Sequence, residues 1–195
     1  MSKRALIISG IILLSFSQII FGLVFYPIIS QEIHYRLNNK SAYREEPKAA
    51  AENDQFKILI PKIDIASEVI PNINPLNKNE YLEALKKGVA QAKGSALPGE
   101  NGNIFIFAHS TDSPFSVQNF NAIFYLVNKL IAGDSIYLTY QGRYYKYIVE
   151  STKIVAPQEI KYFKSSDKTP SLTLMTCWPP GTTLKRLLIF GRPAN

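Results

Sequence analysis

From residue 5 to residue 29 the chain reads ALIISGIILLSFSQIIFGLVFYPII, without one charged side chain. As a helix rising 1.5 Å per residue this run would measure roughly 37 Å, more than the bilayer hydrocarbon thickness of about 30 Å. Lys3 and Arg4 precede it. The positive-inside rule then leaves residues 1–4 in the cytoplasm and sends everything after residue 30 outside. A cleaved signal peptide is the rival, but no convincing A-x-A site stands just after the run, the apolar stretch is long for such a leader, and no lipobox cysteine is present. The expectation is a single-pass cell-membrane protein whose residues 5–29 contact the lipid bilayer as a transmembrane anchor. Residues 30–55, SQEIHYRLNNKSAYREEPKAAAENDQ, are polar and irregular. They read as a juxtamembrane stalk with room for some helix, and His34 within it is assigned no role.

Residues 56–195 are long enough for one domain with a real core. Hydrophobic residues make up 46% of the chain and charged residues only 19%, which argues against extensive disorder. The net charge of +7 could attract nucleic acid, anionic lipid or an acidic wall polymer. The lysines and arginines are scattered, with no run longer than two, so they read as a solvated basic surface and no nucleic-acid partner is expected.

The pattern within this domain is mainly β. FKILIPKIDIASEVI alternates and is β-branched, with Pro61 between two short strands. NEYLEALKKGVA reads as a short helix, SALPGENG as a loop, and GNIFIFAHS as a buried strand ending in a histidine. NFNAIFYLVNKLIAGD has helical spacing, with Gly133 as its stop. DSIYLTYQGRYYKYIVESTKIV predicts a hairpin turning at Gln141-Gly142. SLTLMTCW and LKRLLIFGR are the last strands. About eight short strands and two short helices, without regular βα alternation, favour a closed or nearly closed β-barrel.

Acyl chemistry needs a nucleophile, a proton carrier and a holder for the oxyanion. The single cysteine, Cys177, ends an apolar strand and is followed by Trp-Pro-Pro-Gly, which sets it at the rim of the sheet. A lone cysteine is often a small core residue. An unused thiol outside the cell would be exposed to oxidation, however, and no disulfide is possible with one cysteine. His109, the only histidine after the stalk, also ends an apolar strand, and Arg186 lies on the strand after the cysteine loop. Each alone also fits a structural histidine or a surface arginine.

Thr173-Leu174-Met175-Thr176-Cys177 matches the TLxTC signature of the sortases. Lys185-Arg186 followed by Leu187-Leu188-Ile189 resembles the arginine heading the last sortase strand, and Ala108-His109-Ser110 resembles the sortase Gly-His pair. PKIDI, ALPGENGN and the Gly133-Asp134 turn resemble further segments of that family, so the likeness covers about residues 56–193. Ala108 departs from the usual glycine by one methyl, and no histidine stands near Gln91 to Lys93. The short loop between Cys177 and Arg186 resembles the compact class D and E members.

The resemblance implies an eight-stranded sortase-like β-barrel and a cysteine transpeptidase. Such an enzyme cleaves a C-terminal LPxTG-like sorting signal, holds the acyl group as a thioester and passes it to an amine. Its partners would be surface proteins or pilins bearing that signal, with a cell-wall precursor or a pilin lysine as acceptor. Carried over by position, Cys177 attacks, His109 protonates the leaving amine and Arg186 stabilises the oxyanion. Strand parity puts Thr173 and Met175 on the side of Cys177 and Phe107 on that of His109, where they could line an apolar groove or be plain barrel core. Thr176 belongs to the motif but has the opposite parity, which suits a structural role. Trp178 could cover the groove or pack. No cofactor is expected. No metal is expected either, since Asp112, Asp134 and the glutamates show no ligand spacing. The motif of L,D-transpeptidases is absent, and a papain-type cysteine would begin a helix. A tethered binding barrel with Cys177 as core is the alternative of a different class.

Overall fold

The computed structural model describes residues 3–38, 55–110, 122–159, 162 and 169–194. Helix α1 runs from Lys3 to Asn38. It continues past residue 29 into the stretch expected as stalk, because adding a residue to a formed helix costs far less than starting one, and Gln31, Glu32, Arg36 and Leu37 are good helix formers. Its large apolar side chains from Leu6 to Phe21 are exposed. Among the described residues no helix is long and apolar enough to cross a membrane. The side chains of residues 23–25 and 27–29, which complete the charge-free run, lie outside the described residues.

The strands are β1 (Lys57–Ile60), β2 (Ile65–Ile73), β3 (Val89–Ala92), β4 (Asn103–Phe107), β5 (Ser135–Tyr140), β6 (Arg143–Val155), β7 (Ser171–Trp178) and β8 (Lys185–Pro193). They close into a barrel in the order β1-β2-β3-β4-β7-β8-β6-β5. The pairs β2–β3 and β4–β7 are parallel and the rest antiparallel. One end of the barrel, here called the upper rim, therefore carries the ends of β1, β4, β6 and β7 and the starts of β2, β3, β5 and β8. Inward-facing Ile58, Ile60, Ile104, Ile106, Ile136, Leu138, Leu172, Leu174 and Ile189 are all but fully buried and fill the interior.

Most elements lie where the pattern places them. Pro61 opens a 3-10 turn, η1 (Pro61–Ile63), between the first two strands. Helix α2 (Lys78–Leu85) starts at Asn77, whose side chain accepts from the Glu80 backbone N–H. Gln141 and Gly142 both have positive φ, 49° and 69°, the backbone of a two-residue type I′ hairpin. Two expectations need correction. The helical pattern around Phe124 yields only a 3-10 helix, η2 (Tyr125–Lys129), while residues 111–121, including Asp112, lie outside the described residues. The tail of the NEYLEALKKGVA segment is not helix: it becomes β3, four buried residues too short to show a period.

Truncating Leu174, with no exposed surface, to alanine should cost about 2–5 kcal/mol in urea unfolding. Leu184→Ala, at a side chain 70% exposed, should stay within about 0.5 kcal/mol of the parent. Buried Tyr147 gives a pH signature. Burial, and secondarily the nearby Tyr145, push its phenol up to about 12 from its ordinary value of 10.0. The folded state thus prefers the neutral ring more strongly than the unfolded chain does. Its contribution is complete below pH 10 and fades as pH rises toward 12. Urea titrations across this window should show a steeper loss for the parent than for Tyr147→Phe.

Candidate active site

β7 lies between β4 and β8, and this three-strand segment builds the site. Antiparallel pairing sets Cys177 directly opposite Arg186, with Met175 opposite Leu188 and Thr173 opposite Phe190. On the other side, β4 runs parallel to β7 in one unbroken register from Asn103↔Ser171 to Phe107↔Met175. Ala108 extends that ladder by donating its N–H to the Met175 carbonyl at 3.2 Å. The same offset carried two residues on brings His109 level with Cys177. Neighbouring strands lie about 4.7–4.9 Å apart, so Cys177 and Arg186 stand side by side at the upper rim, with His109 just past the end of β4 on the other flank.

Each is held by its own local structure. The Thr176 hydroxyl donates to the Ala108 carbonyl at 3.0 Å, a buried clamp between the two strands one residue short of Cys177 and His109. The His109 carbonyl accepts from the Phe124 N–H at 3.1 Å, tying the strand end to the segment before η2. After Trp178 the chain turns at Pro179-Pro180-Gly181-Thr182. Pro180 suits the second position of a type II turn and Gly181, at φ 80°, the third, and the Thr182 N–H closes it on the Pro179 carbonyl at 3.0 Å. The returning strand begins with Lys185 and Arg186. One guanidinium nitrogen of Arg186, Nη1, donates to the carbonyls of Thr183 (3.1 Å) and Lys185 (3.0 Å), which props the head group against its own loop. Cys177 is a free thiol and only half-buried, and His109 and Arg186 are half-buried beside it. The strand paired with β7 thus sets an arginine at the register position opposite the thiol.

The expected groove residues divide. Met175 and Trp178 are half-buried and pack on the edge of the core, leaving surface beside Cys177. Phe107 is buried, edge-on to Tyr81 of α2 at 6.4 Å between ring centroids. Thr173 is buried, and its hydroxyl is taken by the Asn103 side-chain oxygen at 3.0 Å, so in this structure it is a strut and not a groove wall. Thr176 is likewise structural, as its parity suggests. Among the described residues no three His, Cys, Asp or Glu side chains gather as a metal-ligand set.

Sequence reasoning missed the polar side chains that brace this region. Asn103 accepts from Thr173 and Ser171 and donates to the Tyr162 carbonyl at 3.3 Å, joining β4, β7 and the connection that precedes β7. Tyr162 then packs on Phe190 with ring centroids 5.7 Å apart. Gln91, buried in β3, accepts from the Asn72 N–H at 2.7 Å and donates to the carbonyls of Ala92 and Ser95 and to the Ser95 hydroxyl. Neither is marked in the sequence, since an isolated Asn or Gln is more often exposed.

A family model described as a sortase domain matches residues 58–194. Sortase D of Bacillus subtilis (strain 168) is 29% identical over 129 residues, covering 63% of this chain and 60% of that protein. Sortase A of Listeria monocytogenes is 26% identical over 148 residues, covering 74% of this chain and 60% of that protein. The match thus spans less than two thirds of the length of either relative. Among solved structures, sortase C from Clostridium perfringens SM101 superposes with a TM-score of 0.58 at 26% identity, covering 93% of this chain and 97% of that one. The relatives carry three different class letters, so these likenesses establish a family and not a class.

The clamp can be tested apart from any activity. Thr176→Val keeps the shape but orphans the buried Ala108 carbonyl, which should cost about 1–3 kcal/mol in urea unfolding. A neutral result would show that the clamp contributes nothing to the β4–β7 pairing.

Proposed function

The chain belongs to the sortase family, and from that premise we propose that it is a membrane-anchored cysteine transpeptidase that cleaves a C-terminal LPxTG-like sorting signal and joins the acyl fragment to an amine. The observation that carries this reading is the register: Cys177 opposite Arg186, with the β4–β7 offset leading to His109 on the other flank.

The chemistry follows from that row of residues. The Cys177 thiolate attacks the scissile carbonyl carbon, and the carbonyl oxygen takes up the electron pair. Arg186 is the donor for this oxyanion. It has five N–H donors, and Nη1 is spent on loop carbonyls, which leaves Nη2 and Nε to face a substrate. As the intermediate collapses, the C–N bond breaks, His109 gives its proton to the departing amine, and a thioester to Cys177 remains. An acceptor amine then attacks the thioester carbon, His109 takes its proton, and the thiolate leaves. Met175 and Trp178 supply apolar surface beside the nucleophile, suited to the leucine and proline of such a signal.

Two observations support the anchor. The charge-free run is preceded by Lys3 and Arg4, and helix α1 exposes apolar side chains on every side from Leu6 to Phe21. A helix of that kind is stable only where its surroundings are themselves apolar. The barrel would then stand outside the cell, where tethered surface proteins or pilins emerge beside a wall-precursor or lysine amine.

Incubating the full chain with a library of sorting peptides, followed by mass spectrometry of the intact protein, should reveal an acyl adduct on Cys177. Cys177→Ala should form none, and prior thiol alkylation should block turnover. Arg186→Ala should lose at least about 10²–10³ in rate, the usual cost of a missing oxyanion donor. Near-full activity in that variant would remove Arg186 from the mechanism, and an unreactive thiol would leave only a tethered β-domain.

A further inference from the structure

The rim that carries Cys177 is also the rim that meets helix α1. Strand directions put His109, Cys177 and Arg186 at the upper rim together with η1, η2 and the start of β5. Contacts confirm the continuity: η1 packs on both η2 and β5, Lys62 binds Asp134 at 2.7 Å, and Phe124, just before η2, bonds to His109. At the end of η2, Lys129 Nζ lies 3.2 Å from Glu32 Oε1 of helix α1, both side chains largely covered. The covering is local. The described side chains of α1 from Leu6 to Phe21 are exposed except at Gly10, whereas Ser30 and Glu32 are partly buried.

We infer that the catalytic rim of the barrel faces the bilayer and rests on its headgroup layer, held there by the Lys129–Glu32 contact. This rests on the anchor reading above. Glu32 follows the last residue of the apolar run, Ile29, by three positions, about 4.5 Å along a helix. With the end of the run at the hydrocarbon boundary, the polar layer of about 5–7 Å on each side of a bilayer takes in Glu32. The polar barrel cannot extend below that level into hydrocarbon. The rim touching Glu32 is therefore the membrane-proximal one, and the hairpin tip at Gln141-Gly142, at the far end of β5, points away. Two residues beyond Lys129, Ile131 is 63% exposed and is followed by exposed Ala132 and Gly133. An isoleucine at a loop tip, level with headgroups, gains an apolar contact there that water does not offer. The partner is the lipid surface itself, and the consequence is that substrates enter the site from the plane of the membrane.

The test uses the full chain in a Cys177→Ser background, reconstituted in phosphatidylcholine vesicles that contain headgroup-nitroxide lipid. A fluorophore is attached at Ile131→Cys, with Ala132→Cys as a second reporter, or at Arg143→Cys beside the hairpin tip. Quenching at 131 and 132 should exceed that at 143 by at least about twofold. Lys129→Glu should shrink the difference, and adding Glu32→Lys should restore it. Equal quenching, or more at 143, in a chain that floats with vesicles after alkaline carbonate would overturn the orientation and leave the anchor standing. A chain that fails to float would overturn the anchor and the orientation together. A Lys129→Glu variant with its contrast intact would show that the ion pair does not hold the rim.

Discussion

The parallel pairing of β4 with β7 is the constraint on which the site depends. A parallel ladder is slightly weaker per residue than an antiparallel one, and a slip of one residue would turn His109 from the outer face to the inner. Side chains secure the register at both ends. At the lower end Asn103 takes the hydroxyls of Ser171 and Thr173, and at the upper end Thr176 reaches the Ala108 carbonyl. Between them Ile104, Ile106, Leu172 and Leu174 all but lose their exposure inside the barrel. The motif Thr-x-x-Thr-Cys is in this light two struts and the proposed nucleophile: both threonines set where the cysteine stands.

The rim position reconciles stability with chemistry. Inside the barrel a thiolate, an imidazolium and a guanidinium would carry a heavy desolvation cost. On the fully exposed surface they would be too hydrated to hold a developing oxyanion. At the point where the ladder stops, backbone pairing still fixes the Cα atoms of Cys177 and Arg186, while the side chains of all three residues are half-buried. The Pro-Pro-Gly turn adds to this, since its fixed φ values and the Thr183 and Lys185 carbonyls limit where Arg186 can swing.

Much of this was legible because the relevant signals are local. The Pro61 break, the Asn77 cap, the Gln141-Gly142 turn and the apolar strands around Cys177 and His109 each follow from a few adjacent residues. The motif resemblance named Cys177 and Arg186, which the β7–β8 register sets opposite each other, and His109, which lies just past the end of β4. What was not legible is long-range or cooperative. β3 is too short to show a period and exists because β2 and β4 flank it. The pattern at Phe124 to Val127 is helical in spacing, but the segment forms only the 3-10 turn that ends at Lys129. Thr173 shares parity with Cys177, yet parity says which face a side chain takes and not what lies over it. The connection through Tyr162 covers that face.

The same separation of scales bears on how the helix and barrel cooperate. An exposed ion pair contributes little energy, and even the partly covered Lys129–Glu32 contact would not by itself fix the orientation of a domain in solution. A helix confined to a membrane removes most of the orientational freedom that such a contact would otherwise have to overcome, as tethering does for any second binding event. On the proposed anchoring, a weak contact at the membrane exit, with Ile131 beside it, would then select among poses already held near the surface. Specific orientation thus needs no large interface, only that the anchor and the contact lie at the same depth.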